Sequence, residues 1–178
     1  MGIYVHDDFI YSRTDKLCNC TNNLESLFIK ITNTDTPITI GVVYRPPSGV
    51  VSKFIEEIDA MLAMAPDEDV IIMGDFNIDL FRPNNEYEST IYGNNFIPTI
   101  ALATHEKPGC TPTLIDNILL NSTGNLITAG VLENRVSHHS PVFCYLTIVR
   151  SESLWTVWSR ARSLAAPEPT VANERVTI

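Results

Sequence analysis

The residues best suited to chemistry fall in four short segments: Tyr44-Arg45-Pro46-Pro47, Gly74-Asp75-Phe76-Asn77, Leu114-Ile115-Asp116-Asn117 and Ser137-His138-His139. They supply a phenol, two carboxylates, amides and two adjacent imidazoles. Such groups move protons, hydrogen-bond an anion or ligate a divalent cation. The most informative stretch is Asp69 to Leu80, DVIIMGDFNIDL. Its short run Val70 to Met73 is apolar and rich in β-branched residues, so it reads as a buried strand. Gly74 punctuates it, and Asp75, Asn77 and Asp79 follow at once. A strand that ends in a turn bearing a carboxylate and an amide aims polar groups into a site, and loops on a rigid scaffold often carry function. Gly, Asp and Asn are also ordinary turn residues, so this segment alone reads equally well as a plain turn.

The rest of the chain must position these groups. Strands are expected at 2–5, 24–31 and 38–44, the last two joined by the turn-rich residues 32–37 as an antiparallel hairpin. Arg45-Pro46-Pro47 ends the second of these, because proline cannot continue a ladder. A helix follows, capped by Ser52 and running to about Ala65, with Phe54, Ile55, Ile58, Met61 and Leu62 at helical spacing. The strand at 70–73 comes next, which makes a layered α/β arrangement. Residues 81–89 are polar and turn-rich, and a short helix is expected within 90–102. Further strands are expected at 114–120, 130–132 and 141–149. After Val149 the composition changes. Leu154, Trp155, Val157, Trp158, Ala161 and Leu164 form a helical stripe before a proline-rich end, so 150–178 reads as a tail of short helix and disorder outside a domain at 1–149.

A length of 178 residues suits one domain, and 44% apolar with 19% charged residues suits a globular one. No apolar run approaches the ~20 residues of a membrane span, and the start carries neither a signal-peptide pattern nor a myristoylation pattern. The expectation is an intracellular protein, cytoplasmic or nuclear, with no membrane partner. Cys18, Cys20, Cys110 and Cys144 lack the spacing of usual structural zinc sites and are expected as free thiols. The net charge of −9 argues against gripping nucleic acid by bulk electrostatics. It suits a carboxylate-rich site that recruits a divalent cation.

Taken in order, Gly41-Val-Val-Tyr-Arg-Pro-Pro, Gly74-Asp-Phe-Asn, Leu114-Ile-Asp-Asn-Ile-Leu and Ser137-His-His-Ser-Pro-Val resemble the endonuclease/exonuclease/phosphatase superfamily. The nearest likeness is to the endonuclease domain of LINE-type, non-LTR retrotransposons, over roughly residues 1–149. The resemblance implies a four-layer α/β sandwich of the deoxyribonuclease I-like type, with its site at one end of two packed sheets. It implies hydrolysis of phosphodiesters or phosphomonoesters with Mg²⁺ or Mn²⁺, a DNA substrate, and a reverse transcriptase domain in the parent element. By the same likeness Asp75 aligns and deprotonates the water, Asn77 engages the phosphate, Asp116 orients His139, His139 offsets developing charge, and the Tyr44 phenol reaches the phosphate. Asp75, Asn77 and His138 are the expected metal-side residues.

The chain departs from that pattern in three ways. His138 stands where the family usually has Asp, and an imidazole brings no negative charge. The opening strands that carry the family's Asn and metal-binding Glu find no counterpart, so the fold is expected to be incomplete at its N-terminus, with an exposed sheet edge. No reverse-transcriptase segment follows Val149. Weak or absent nicking is therefore expected. A phosphomonoesterase of the same fold and a non-catalytic remnant are the competing readings.

Overall fold

The computed structural model describes residues 1–82, 84–133 and 137–149, together with the backbone of Val176–Thr177. Its elements in chain order are β1 Tyr11–Arg13, a 3₁₀ turn Asp15–Leu17, β2 Asn19–Cys20, β3 Glu25–Ile31, β4 Ile38–Tyr44, α1 Val51–Leu62 and β5 Asp69–Asp75. There follow α2 Asn85–Gly93, β6 Ile97–Pro98, β7 Asp116–Leu120, β8 Leu126–Val131, β9 Val142–Leu146 and β10 Val176–Thr177. One sheet has the order β1-β3-β4-β5-β7-β6, with β2 also on β3, and a second has β10-β9-β8. β3 and β4 form the expected antiparallel hairpin, β4 and β5 run parallel, and β5 and β7 run antiparallel. The large sheet is therefore mixed.

The two faces of this sheet follow from strand alternation. Phe28, Val43, Val70, Ile72 and Leu119 turn one way, into a core completed by Phe54, Ile55, Ile58, Met61 and Leu62 of α1 and by Tyr87 and Ile91 of α2. Burial of each such side chain contributes roughly 1.5–3 kcal/mol. Ile29, Ile31, Ile40, Ile71, Ile118 and Leu120 turn the other way, against Cys144 and Leu146 of the second sheet. The described residues thus supply three layers: helices, the mixed sheet and the smaller sheet. Gly74 leaves no room for a side chain against β4, since a Cβ there would stand 1.8 Å from the Val43 carbonyl oxygen.

Several elements differ from the sequence reading. Residues 2–5 form no strand. Ile3 and Val5 instead pack, partly buried, on the core between the sheets without joining a ladder. The first helix begins after Val50, whose backbone N–H is accepted by Asn23 Oδ1, so Ser52 is inside the helix and not its cap. It stops at Leu62 rather than Ala65. The second helix is Asn85–Gly93, earlier than the expected 90–102. Asn84 caps it by accepting from Tyr87 N, and Pro98 lies in the strand that follows. The last strands are Leu126–Val131 and Val142–Leu146 rather than 130–132 and 141–149. The helical stripe expected at Leu154 to Leu164 lies outside the described residues. Cys18, Cys20, Cys110 and Cys144 are free.

Candidate active site

Three strand ends place three functional groups side by side. Tyr44, the last residue of β4, is paired with Asp75, the last of β5, and Asp75 is paired with Asp116, the first of β7. Directly opposed residues on neighbouring strands project to the same face. This face is the one turned toward the smaller sheet. His139 joins from the loop before β9. That loop is tied down by Glu106 N donating to His138 O at 2.8 Å and Ser140 N donating to Thr104 O at 2.7 Å. His139 Nδ1 then lies 2.9 Å from Asp116 Oδ2 and 3.2 Å from Oδ1. Tyr44, Asp75, Asp116 and His139 line one open cleft of about 460 Å³, with Met73 and Ser140 among its walls.

The turn after β5 is held by hydrogen bonds within and beneath it. Asp75 Oδ1 accepts from Asn77 N at 3.0 Å, and Asn77 adopts a left-handed backbone with φ of 49°. Asn tolerates that region better than most side chains. The Asn77 amide donates to Arg45 O at 2.8 Å, so one of its protons is spent on the scaffold and not on a ligand. Asn77 does not line the cleft. Asp116 is fixed from behind by Thr104, a fully buried residue whose hydroxyl accepts from Asp116 N at 2.9 Å and Ile115 N at 3.2 Å.

Burial pushes the Asp75 carboxyl above the ordinary carboxylate range, and the neighbouring Asp116 charge pushes it further. The Asn77 N–H and His139 pull it partly back. One ligand atom each from Asp75, Asp116 and His139 can be chosen so that all lie within 4.8 Å of one another. Two carboxylates and an imidazole form a donor set that fits a divalent cation, for which one or two carboxylates plus water and substrate oxygens suffice. His138 is exposed and lies outside that group, and its ring stands 6.3 Å from the His105 ring. Of the expected metal-side residues Asp75 belongs to this group of His, Cys, Asp and Glu side chains and His138 does not, while Asp116 and His139 join it.

Three neighbours escaped the sequence reading. Thr104 and His105 sit in a turn-rich loop with no local signal, yet the His105 ring lies 4.7 Å from the His139 ring. Arg45 had a signal in its position directly after Tyr44, but nothing in the sequence says what it reaches.

No family profile matches the sequence, and no curated protein matches it. Solved structures do. The chain is similar to the endonuclease domain of TRAS1, a telomere-specific non-LTR retrotransposon, with a TM-score of 0.64 and 16% identity over 82% of this chain and 69% of that one. It is similar to an endonuclease/exonuclease/phosphatase family protein from Leptotrichia buccalis, with a TM-score of 0.53 and 18% identity over 72% of this chain and 54% of that one. It is also similar to D. rerio TDP2 complexed with a single-strand DNA product, with a TM-score of 0.54 and 13% identity over 76% of this chain and 66% of that one. The chain has the endonuclease/exonuclease/phosphatase fold, the deoxyribonuclease I-like α/β sandwich. It spans about half the length of the Leptotrichia protein. No helix among the described residues is long and apolar enough to cross a membrane.

Proposed function

We propose that this chain carries the site of a divalent-metal-dependent phosphodiesterase that cuts DNA, of the kind found in non-LTR retrotransposons. The observation that carries the reading is the row Tyr44, Asp75 and Asp116 across three adjacent strand ends, completed by His139 at 2.9 Å from Asp116. Likeness of fold to the TRAS1 endonuclease domain supports the choice of substrate class.

Phosphodiester hydrolysis needs an activated water, neutralisation of phosphate charge and a stabilised leaving oxygen. Asp75 aligns the water and takes its proton, a role for which a pKa raised by burial is suited. Asp116 holds His139 by Nδ1 and leaves Nε2 facing the phosphate, to which the doubly protonated ring donates from Nε2 while Nδ1–H stays on Asp116. The Tyr44 phenol donates to a second phosphate oxygen from the other side of Asp75. Asp75 and Asp116 would hold Mg²⁺ or Mn²⁺, which supplies positive charge against the phosphate when bound. A net charge of −9 disfavours a long polyanion and favours a small phosphate ester, which keeps a phosphomonoesterase as the second reading.

The test uses the full chain and supercoiled plasmid, with Mg²⁺, Mn²⁺ or chelator. Expected is slow, metal-dependent nicking that chelator abolishes and that His139→Ala lowers by about 100-fold or more. Nicking that survives both chelator and His139→Ala would overturn the reading. Release of phosphate from small monoesters without nicking would move the function to the second one.

A further inference from the structure

We propose that Arg45 is a positioning residue for this reaction, its buried guanidinium clamping the Asp75–Asn77 turn so that Asp75 points into the cleft. The inference rests on the hydrolytic reading above and adds to it a residue that touches neither substrate nor metal.

Arg45 is only 6% exposed. Its Nε donates to Phe76 O at 2.9 Å and its Nη2 to Asn77 O at 2.7 Å. Its backbone N–H donates to Asp75 O at 2.9 Å. One residue therefore takes all three consecutive carbonyls of the turn. The clamp is reciprocal, because Asn77 Nδ2 donates to Arg45 O at 2.8 Å. Nη1 donates to Gly49 O at 2.9 Å and Pro46 O at 3.3 Å, tying the same guanidinium to the loop that enters α1. Asn77 sits at φ 49°, in the left-handed region that Asn tolerates better than most residues but that its surroundings must still hold. The clamp supplies that constraint.

A purely architectural role explains less. Among the described residues no carboxylate forms an ion pair with Arg45. The Asp75 charge favours the cation from a distance, but burial outweighs it, and apolar residues of similar volume commonly fill space as well or better. What a guanidinium offers instead is a rigid planar fork of donors that can satisfy several carbonyls at fixed angles. A lysine has the charge without the fork. Misplacement of a reacting group by about 1 Å can cost about 100-fold in rate.

The experiment compares Arg45→Lys and Arg45→Ala with Ile58→Ala, a core variant in α1 that lowers stability without touching the turn. Cleavage of a labelled DNA duplex with Mg²⁺ gives kcat and KM, and the backbone amide resonances of Asp75 and Asn77 are followed in ¹⁵N-labelled chain. Expected for Arg45→Lys is a fall of about 100-fold in kcat with KM changed less than about threefold, and displaced Asp75 and Asn77 resonances. Guanidinium ion at low concentration restores Arg45→Ala by about tenfold or more and leaves Ile58→Ala unchanged. Arg45→Lys with wild-type kcat, or with no greater loss than Ile58→Ala, overturns the proposal. Should the unaltered chain cleave nothing, the functional reading fails by itself. The resonances still decide the clamp, and unmoved Asp75 and Asn77 signals in Arg45→Lys overturn it.

Discussion

His139 Nδ1 sits 2.9 Å from Asp116 Oδ2, and the Asp116 side chain is the more buried of the two, 15% exposed against 41%. A carboxylate acceptor requires the proton on Nδ1, so the geometry sets the tautomer and turns Nε2 outward to the cleft. Thr104, by binding Asp116 N, fixes the position of the carboxylate that does this. The imidazole is thus oriented through Asp116 rather than by its own loop.

Asp116→Asn retains the shape and removes the charge. Its amide can offer a donor to Nδ1, which favours a neutral ring in place of the imidazolium that offsets charge on the phosphate. The expected outcome is a fall in kcat of about 100-fold or more with little change in melting temperature. The ¹⁵N shifts of the His139 ring should show the proton leaving Nδ1. Unchanged ring shifts together with unchanged kcat would remove Asp116 from the site.

The legible part of this fold was its central strands, while the short edge strands Tyr11–Arg13, Asn19–Cys20 and Ile97–Pro98 were not foreseen. The run Ile38–Tyr44 is β-branched and bounded by a turn cluster and Pro46-Pro47, so its ends could be read directly, and the strand at Glu25–Ile31 could be read from its alternation. Tyr44 could be read at the end of its strand and Asp75 in the turn after its own, whereas Asp116 was expected inside a strand at 114–120 and begins β7 instead. The second helix was misplaced because it buries only Tyr87 and Ile91 and starts from an Asn84 cap inside a polar stretch. Residues 2–5 carry apolar side chains that suit either a strand or an unpaired segment lying on a core, and only tertiary contact decides between these. The Arg45 clamp and the His105 ring beside His139 depend on loop paths, which no local pattern encodes. His138 was read as a ligand because it stands where the resembled family has Asp, but it is exposed and lies outside the group formed by Asp75, Asp116 and His139.

Gly74 stands opposite Val43 where β5 pairs with β4. An added Cβ would stand 1.8 Å from Val43 O and 2.7 Å from Val43 C, both backbone atoms that cannot rotate aside. Gly74→Ala should therefore pry apart the two strands that carry Tyr44 and Asp75. The expected loss is about 3 kcal/mol, seen as a lower midpoint in urea, together with loss of cleavage. A variant with wild-type midpoint would show that the sheet relaxes where the geometry says it cannot.

Tyr87 offers the opposite case. It is 1% exposed, packs against Phe54 and Phe76, and its hydroxyl has no hydrogen-bond partner among the described residues. Burial also drives its phenol pKa upward, so the group stays neutral at any ordinary pH. Leaving a buried hydroxyl unsatisfied costs roughly 1–3 kcal/mol. Tyr87→Phe removes the oxygen and keeps the ring, so it should raise stability by about 1 kcal/mol with cleavage unchanged. A drop in the unfolding midpoint would reveal a partner for the hydroxyl.

Asp75 supplies the pH dependence. Its folded carboxyl is held above the ordinary value by burial first and by the Asp116 charge second. The folded state therefore binds this proton more tightly than the unfolded chain does. The sign follows: the stability linked to that proton is fully present below the unfolded carboxylate pKa and is lost as pH rises through the folded one. Asp75→Asn carries no such proton. Measured without metal, its melting temperature relative to the unaltered chain should rise across that window from acid toward neutral pH, and then level off. Added Mg²⁺ or Mn²⁺ should narrow the gap, because a cation stabilises only the chain that keeps the carboxylate. At the same time Asp75→Asn should lose cleavage by about 100-fold or more, since the amide cannot take the proton from water. A stability difference that stays flat with pH would mean that the Asp75 carboxylate is not under the strain assigned to it, and with that the case for it as the base would fall.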